Sequence, residues 1–324
     1  MRTNKIKLVK WLVLGVLVAS IMMVMSNREW IYDHYRGMTY QPSSEMAKIR
    51  DGLGLAERGE FLFNASQPAL EEKEEFNDIC QAQMTETAIL GCYTLGNIYV
   101  YNIVDEELKG IRELTTAHEL LHAVWARMDE NERKALEPVL QQAFDANKDV
   151  LGEELAIYDA SERQEELYVR AGTEIKKLPD ALEKHFAEIF ANQDRIVDYY
   201  NSYITVFREL EAEMDALKSE MEGIEPELNA KMNEYETRMA QLNARIESFN
   251  NCASIAGCFE SESEFYSERA VLIAEEQSLD ALYAEISNLI NIYNAKVEQY
   301  NADVVRGETL NQKINSTAKP QEIE

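Results

Sequence analysis

The stretch Thr115–Met128, TTAHELLHAVWARM, decides how this chain is read. Its apolar residues Ala117, Leu120, Leu121, Val124 and Trp125 recur at helical spacing, which predicts a helix with one face in a core. The other face carries HELLH. Residues four apart stack on one side of a helix, so His118 and His122 present two imidazoles to one point. Neutral imidazole nitrogens hold zinc at about 2.0–2.1 Å. Glu119 follows the first histidine and projects beside the same point. A carboxylate there can take a proton from a zinc-bound water and return it to a leaving amine. The opposing reading is an ordinary buried helix face. Against it, the 324 residues contain only four histidines, and two of them flank this glutamate at helical spacing. A chance H-E-x-x-H is rare at that content.

Working upstream, GNIYVYNI alternates with a period of two, Ile98 and Val100 against Tyr99, Tyr101 and Ile103, a strand pattern. The β-rich run TAILGCYT precedes it, with Leu95-Gly96-Asn97 between them, which predicts a hairpin with Cys92 on one strand. SSEMAKIRDGLGL opens on a serine cap and stops at Gly52 and Gly54, a short helix. EFLFNASQPAL reads as a short strand ended by Pro68. Helical patterns follow HELLH to about Phe190. Residues 43–195 are therefore expected to form an α+β domain, a small sheet packed on helices.

A strand followed by a helix bearing HELLH resembles the zincin metallopeptidases. The resemblance covers Ile98–Met128 and extends weakly to about Phe190. It implies a zincin-like catalytic domain that hydrolyses peptide bonds, with one zinc per chain held by His118 and His122 and with Glu119 activating the zinc-bound water. It also implies that the strand before the motif helix is a sheet edge pairing with the substrate backbone, which assigns Ile98, Tyr99, Val100 and Tyr101 as the substrate strand. A catalytic zinc needs a third protein ligand and an open position. The longer three-histidine motif is absent, because AVWARM follows His122. His185, in LEKHFAEIF, sits in an amphipathic pattern and reads as a plain helix histidine. The third ligand is then a carboxylate, as in the Glu-zincins. Glu166, in the context Glu166-Leu167-Tyr168-Val169, fits that pattern. Glu174, two helical turns on, is the rival ligand or a partner that orients a histidine from behind. Glu162 and Glu165 read as solvated; Arg170 and Tyr168 are either surface residues or donors to a developing oxyanion.

Beyond residue 195 the pattern changes. From Phe207 to Phe249 apolar residues recur at steps of three and four, and the period resumes from Leu272 to Val304. FNNCASIAGCFESES, rich in turn residues, separates the two runs. Residues 196–306 are expected to form a long antiparallel α-helical coiled-coil hairpin, each arm about 60–75 Å long at about 1.5 Å per residue. Gly223 and Pro226 are expected to kink it, and self-association through the same seam is the alternative pairing. The polar tail 307–324 is expected to be disordered.

Charge and cysteines bound the rest. A net charge of −27 and a pI near 4.6 argue against nucleic acid, whose phosphates would be repelled. Four cysteines fall into two local pairs, which favours disulfides Cys80–Cys92 and Cys252–Cys258 in an oxidising compartment. MRTNKIKLVK is basic, and from Leu8 to Met25 only Lys10 is charged. Residues 8–26 are expected to be a transmembrane signal-anchor, with 1–7 a cytoplasmic tail, 27–42 a juxtamembrane linker and the bulk extracytoplasmic. A cleaved signal peptide is the alternative. The expected function is a membrane-anchored zinc metallopeptidase acting on a peptide or protein. The alternative is a non-enzymatic cell-surface coiled-coil scaffold with a structural or degenerate zinc site.

Overall fold

The structure, a computed structural model, describes residues 17, 22–80, 89–155, 158 and 162–317. The chain divides into two units, Met1–Val206 with Asn311–Glu324, and Phe207–Leu310.

The first unit is built mainly of helices: α1 (Arg28–Thr39), α2 (Ser44–Leu53), α3 (Glu57–Ser66), α4 (Lys73–Cys80), α5 (Ile111–Arg127), α6 (Glu130–Ala146), α7 (Lys148–Leu155), α8 (Arg163–Glu174) and α9 (Asp180–Ala187). Local chemistry sets several of their ends. Ser43 caps α2 by accepting from the Met46 N–H, and Gly54 ends it in the left-handed region. Asp129 and Glu132 form a capping box at the start of α6. The helix α1 is held by two arginines. Arg36, buried, donates from Nε to the Ala65 carbonyl at 2.7 Å and from Nη2 to the Gly96 carbonyl at 3.1 Å. Arg127 at the end of α5 grips Asp33 of α1 with two bonds of 2.8 and 3.0 Å.

Three short strands, β1 (Ala69–Glu71), β2 (Gly91–Thr94) and β3 (Asn97–Tyr101), form one sheet in the order β1-β3-β2. β2 and β3 make an antiparallel hairpin, with Cys92 opposite Tyr99, and β1 runs parallel to β3. The hairpin turns at Leu95 and Gly96, both at positive φ, the geometry that two-residue hairpin loops need. Ile98 and Val100 face the main core shared with α5, while Tyr99 and Tyr101 pack on a second cluster around Phe76 and the buried Cys80–Cys92 disulfide.

The long helices α10 (Gln193–Ala253) and α11 (Glu262–Ile314) begin and end in the first unit and supply the second. Within Phe207–Leu310 they run antiparallel, as ion pairs Lys231–Glu285 and Arg238–Glu275 and the Tyr235–Tyr283 ring contact require. A Cys252–Cys258 disulfide and an aromatic cluster of Phe249, Phe259 and Phe265 close the tip. Both disulfide pairings and the helical hairpin follow the sequence expectation. Pro226 lies inside α10, which continues through it.

Other expectations need correction. The fold class is not an α+β zincin-like domain behind a transmembrane helix, because the described chain is overwhelmingly helical and its sheet has strands of only three, four and five residues. EFLFNAS is helical in α3, and the strand β1 follows Pro68 instead of preceding it. The linker 27–42 is mostly α1. Among the described residues no helix is long and apolar enough to cross a membrane. The single-pass placement, with the N-terminus cytoplasmic and the bulk extracytoplasmic, is therefore not supported. Of segment 8–26, Leu17 and residues 22–26 are described and the rest, with tail 1–7, lies outside the described residues. The tail is ordered further than expected. α11 runs to Ile314, and Ser316 is buried, its carbonyl accepting from Asn77 Nδ2 at 2.7 Å and its hydroxyl donating to the Ile89 carbonyl at 3.3 Å. Residues 318–324 lie outside the described residues.

Candidate metal centre

Helix α5 carries His118 and His122 one turn apart, their ring centroids 5.1 Å from each other. Helix α8 crosses it closely. A Cβ added to Gly172 of α8 would stand 2.5 Å from Leu121 Cδ1 and 2.7 Å from Phe186 Cε1, so any larger residue would force these side chains to shift. The approach brings Glu166 to the histidines: its Oε1 lies 3.9 Å from His118 Nε2 and its Oε2 3.6 Å from His122 Nε2. One donor atom from each of the three residues lies within 4.8 Å of the other two. Ligands about 2.0–2.1 Å from a tetrahedral zinc stand about 3.3 Å apart, so the three donors need only small adjustments to share an ion. The donor chemistry, two imidazoles and a carboxylate, suits zinc and leaves a fourth position for solvent or substrate. Glu166 is buried at 6% side-chain exposure, while His118 at 25% and His122 at 20% are partly exposed.

The surrounding groups set the protonation states. His122 Nδ1 lies 2.8 Å from Glu165 Oε1. That carboxylate fixes the tautomer with the proton on Nδ1 and the Nε2 lone pair toward Glu166. Burial opposes charge on His122, but the Glu165 hydrogen bond and the carboxylates of Glu119 and Glu166 outweigh it and raise its affinity for a proton. Burial, then the neighbouring His122 and Arg170, holds His118 well below the usual imidazole range, which keeps it in the neutral, ligating form. Burial also raises the Glu166 carboxyl.

Glu119 is not one of the converging donors. It is buried beside them, against strand β2. Burial pushes its carboxyl up to about 7, with repulsion from Glu166 and Glu165 adding to the effect and His122 and the Tyr93 backbone N–H, which donates to it, working against it. Gly91 lies directly over this side chain. A Cβ there would meet Glu119 Cγ at 2.7 Å and Oε1 at 2.8 Å.

Several sequence expectations are redistributed. Glu174 does not reach the histidines; its Oε1 accepts from Arg170 Nη1 at 3.2 Å. Arg170 bonds Glu166 and Glu174 of α8, and Tyr168 is fully buried with its hydroxyl 2.9 Å from His185 Nε2, away from the converging donors. His185 is, as expected, a helix histidine outside the site. Glu165 is not merely solvated, since it bonds His122. The assignment of Ile98–Tyr101 as substrate strand is corrected: β3 is central, paired by β1 on one side and β2 on the other. Among the described residues the edge strand beside Glu119 is β2, and the Tyr93 N–H on that edge donates to the Glu119 carboxylate. The Leu90 carbonyl and Cys92 turn toward β3, which sends the backbone groups of Gly91 and Tyr93 outward.

Tyr158 was not foreseen. It is half-buried, and its hydroxyl donates to the Glu166 carboxylate. Burial and the nearby Glu166 and Glu119 charges raise it above the usual phenol range, so it stays protonated. No periodicity or motif marks it. Comparison of the chain with protein-family models, with curated proteins and with solved structures finds no match.

Proposed function

We propose that the protein is a zinc-dependent peptidase. The observation that carries this reading is the convergence of His118, His122 and Glu166 with a buried carboxylate, Glu119, next to the donors but outside the ligand set. When bound, zinc would supply a Lewis acid that polarises the scissile carbonyl and makes water easier to deprotonate. Glu119 takes a proton from the attacking water and delivers it to the leaving nitrogen; its burial beside the donors places it for both transfers. Tyr158 donates its one hydroxyl proton to the Glu166 carboxylate and so holds that ligand in place. The outward backbone of Gly91, at the edge of β2 beside the base, receives an extended peptide. Glu165 holds His122 in its ligating tautomer.

The test is zinc stoichiometry of the purified chain together with peptide hydrolysis. About one zinc per chain is expected, lost in Glu166→Ala and kept in Glu119→Gln. Hydrolysis in Glu119→Gln is expected to fall roughly 10²–10⁴-fold, the usual contribution of a general base. Full activity in Glu119→Gln would overturn the reading. The hairpin unit favours a second reading, a scaffold whose business is Phe207–Leu310. On that reading the chain binds its partner unchanged in Glu119→Gln and in Glu166→Ala, and no peptide is cut by either.

A further inference from the structure

Helix α8 carries Glu166, Arg170 and Glu174 at intervals of four, so the three stand in a row on one face. Arg170 Nε donates to Glu166 Oε1 at 2.7 Å, and Nη1 donates to Glu174 Oε1 at 3.2 Å. The side chains of both glutamates are nearly inaccessible, at 6% and 7% exposure. Glu174 Oε2 is buried with no hydrogen-bond partner among the described residues. Two buried carboxylates on one guanidinium, one oxygen of them orphaned, are a poor way to stabilise a helix. The same row has an evident use at the metal centre. A carboxylate can offer a metal one oxygen or two. Arg170 engages Oε1, the oxygen 3.9 Å from His118 Nε2, while Oε2 lies 3.6 Å from His122 Nε2 and is the oxygen that Arg170 leaves to an ion; Tyr158 also donates to this carboxylate.

We propose that Arg170 is a positioning residue that restricts Glu166 to one-oxygen ligation, and that Glu174 holds Arg170 in place for this task. The inference rests on the metal-site reading above. It names what keeps the centre four-coordinate. A second carboxylate oxygen on the ion would fill the position that substrate or solvent needs. The guanidinium charge also draws electron density from Glu166 and leaves the ion a stronger Lewis acid. Arginine suits this task better than lysine, because its fixed fork can bond two carboxylates in defined directions.

Cobalt(II) tests the idea without any activity measurement, because its visible absorption is intense when four-coordinate and weak when five-coordinate. The full chain is stripped of metal and loaded with one cobalt. The wild type is expected to give the intense spectrum. Arg170→Met frees Oε1, and the peak should fall by about half or more as the coordination number rises. Arg170→Met also leaves Glu174 without its partner and can unfold α8, so Arg170→Met/Glu174→Leu is measured beside it; it removes both charges and keeps bulk in the core. The double variant is expected to show the same weakened spectrum. Wild-type intensity in folded, cobalt-loaded variants would overturn the role of Arg170 and leave the metal site standing. A wild type that takes up no cobalt or zinc would overturn the metal site, and this inference with it.

Discussion

The surroundings of α5 and α8 and the hairpin Phe207–Leu310 are both made of helices lying against helices, yet they treat charge in opposite ways. In the hairpin, ion pairs such as Lys231–Glu285 and Lys296–Glu220 sit on the surface, with the glutamates more than half exposed. Their separation there says little, because exposed pairs contribute little. Around α5 and α8, Glu119, Glu166 and Glu174 are withdrawn from water, and two histidines and an arginine crowd against them. Burying carboxylates is unfavourable unless something compensates it. Helical periodicity explains both regions equally well. Only the burial of charge distinguishes the region where chemistry is expected.

The two disulfides offer the largest test of that contrast. Cys80 and Cys92 are each 1% exposed, and Cys92 lies on β2 next to the Tyr93 N–H that bonds Glu119. Replacing both by alanine is expected to destabilise the first unit by about 2–4 kcal/mol and to reduce peptide hydrolysis, because β2 loses its tether. The Cys252–Cys258 pair closes a shorter loop at the exposed tip. Its removal should leave hydrolysis unchanged and loosen only the tip. Denaturant melts of the two double variants check this; equal losses of activity would erase the distinction between the regions.

Glycine gives a smaller effect with opposite signs. Gly172→Ala drives a methyl into Leu121 and Phe186, with contacts of 2.5 to 2.9 Å. It should destabilise by about 1–3 kcal/mol through overpacking, and by parting α8 from α5 it should also weaken zinc binding. Gly223 of the hairpin has nothing within 4 Å of an added Cβ. Gly223→Ala should therefore stabilise its helix by roughly 0.5–1 kcal/mol. Thermal melts with metal titrations measure both.

How much of this was readable beforehand follows the same line. The hairpin was legible because its period repeats over many turns, and HELLH because a helix converts a spacing of four into a shared face. The Leu95-Gly96 turn and the Ser43 cap were legible because each is local chemistry. FLFNAS was misread because a short apolar run suits a strand and a buried helix alike. The edge strand was misassigned for a different reason. Whether β3 is an edge depends on β1, a three-residue strand from 28 positions earlier in the chain whose parallel pairing no local pattern encodes. Tyr158 and Glu165 reach the site by tertiary packing alone. Glu165 had one usable hint: it adjoins Glu166 and stands near the start of a helix facing two histidines that need orienting.

The smallest effect concerns pH. Burial, followed by the charge of Arg58, holds His185 below the usual imidazole range, with Glu188 and Glu132 partly offsetting this. The native state therefore binds this proton less readily than the unfolded chain, whose histidines titrate near about 6.5. Stability from His185 is complete above that pH and is lost as the pH falls below it, with a slope of at most about 1.4 kcal/mol per pH unit. His118, shifted the same way, adds to the slope in the metal-free chain, so the contribution of His185 is the difference between the wild type and His185→Gln. The hairpin has no histidine and no tryptophan, while Trp30 and Trp125 both lie in the first unit. Tryptophan fluorescence thus follows the first unit alone. Between pH 7 and pH 5 the raised carboxyls of Glu119 and Glu174 and the raised His122 add stability as the pH falls, so the readout is relative: the unfolding midpoint of the wild type should fall against that of His185→Gln. An identical slope in the two proteins would mean that the Tyr168–His185 bond accommodates the charged ring, and that burial of charge is less decisive in the first unit than its geometry implies.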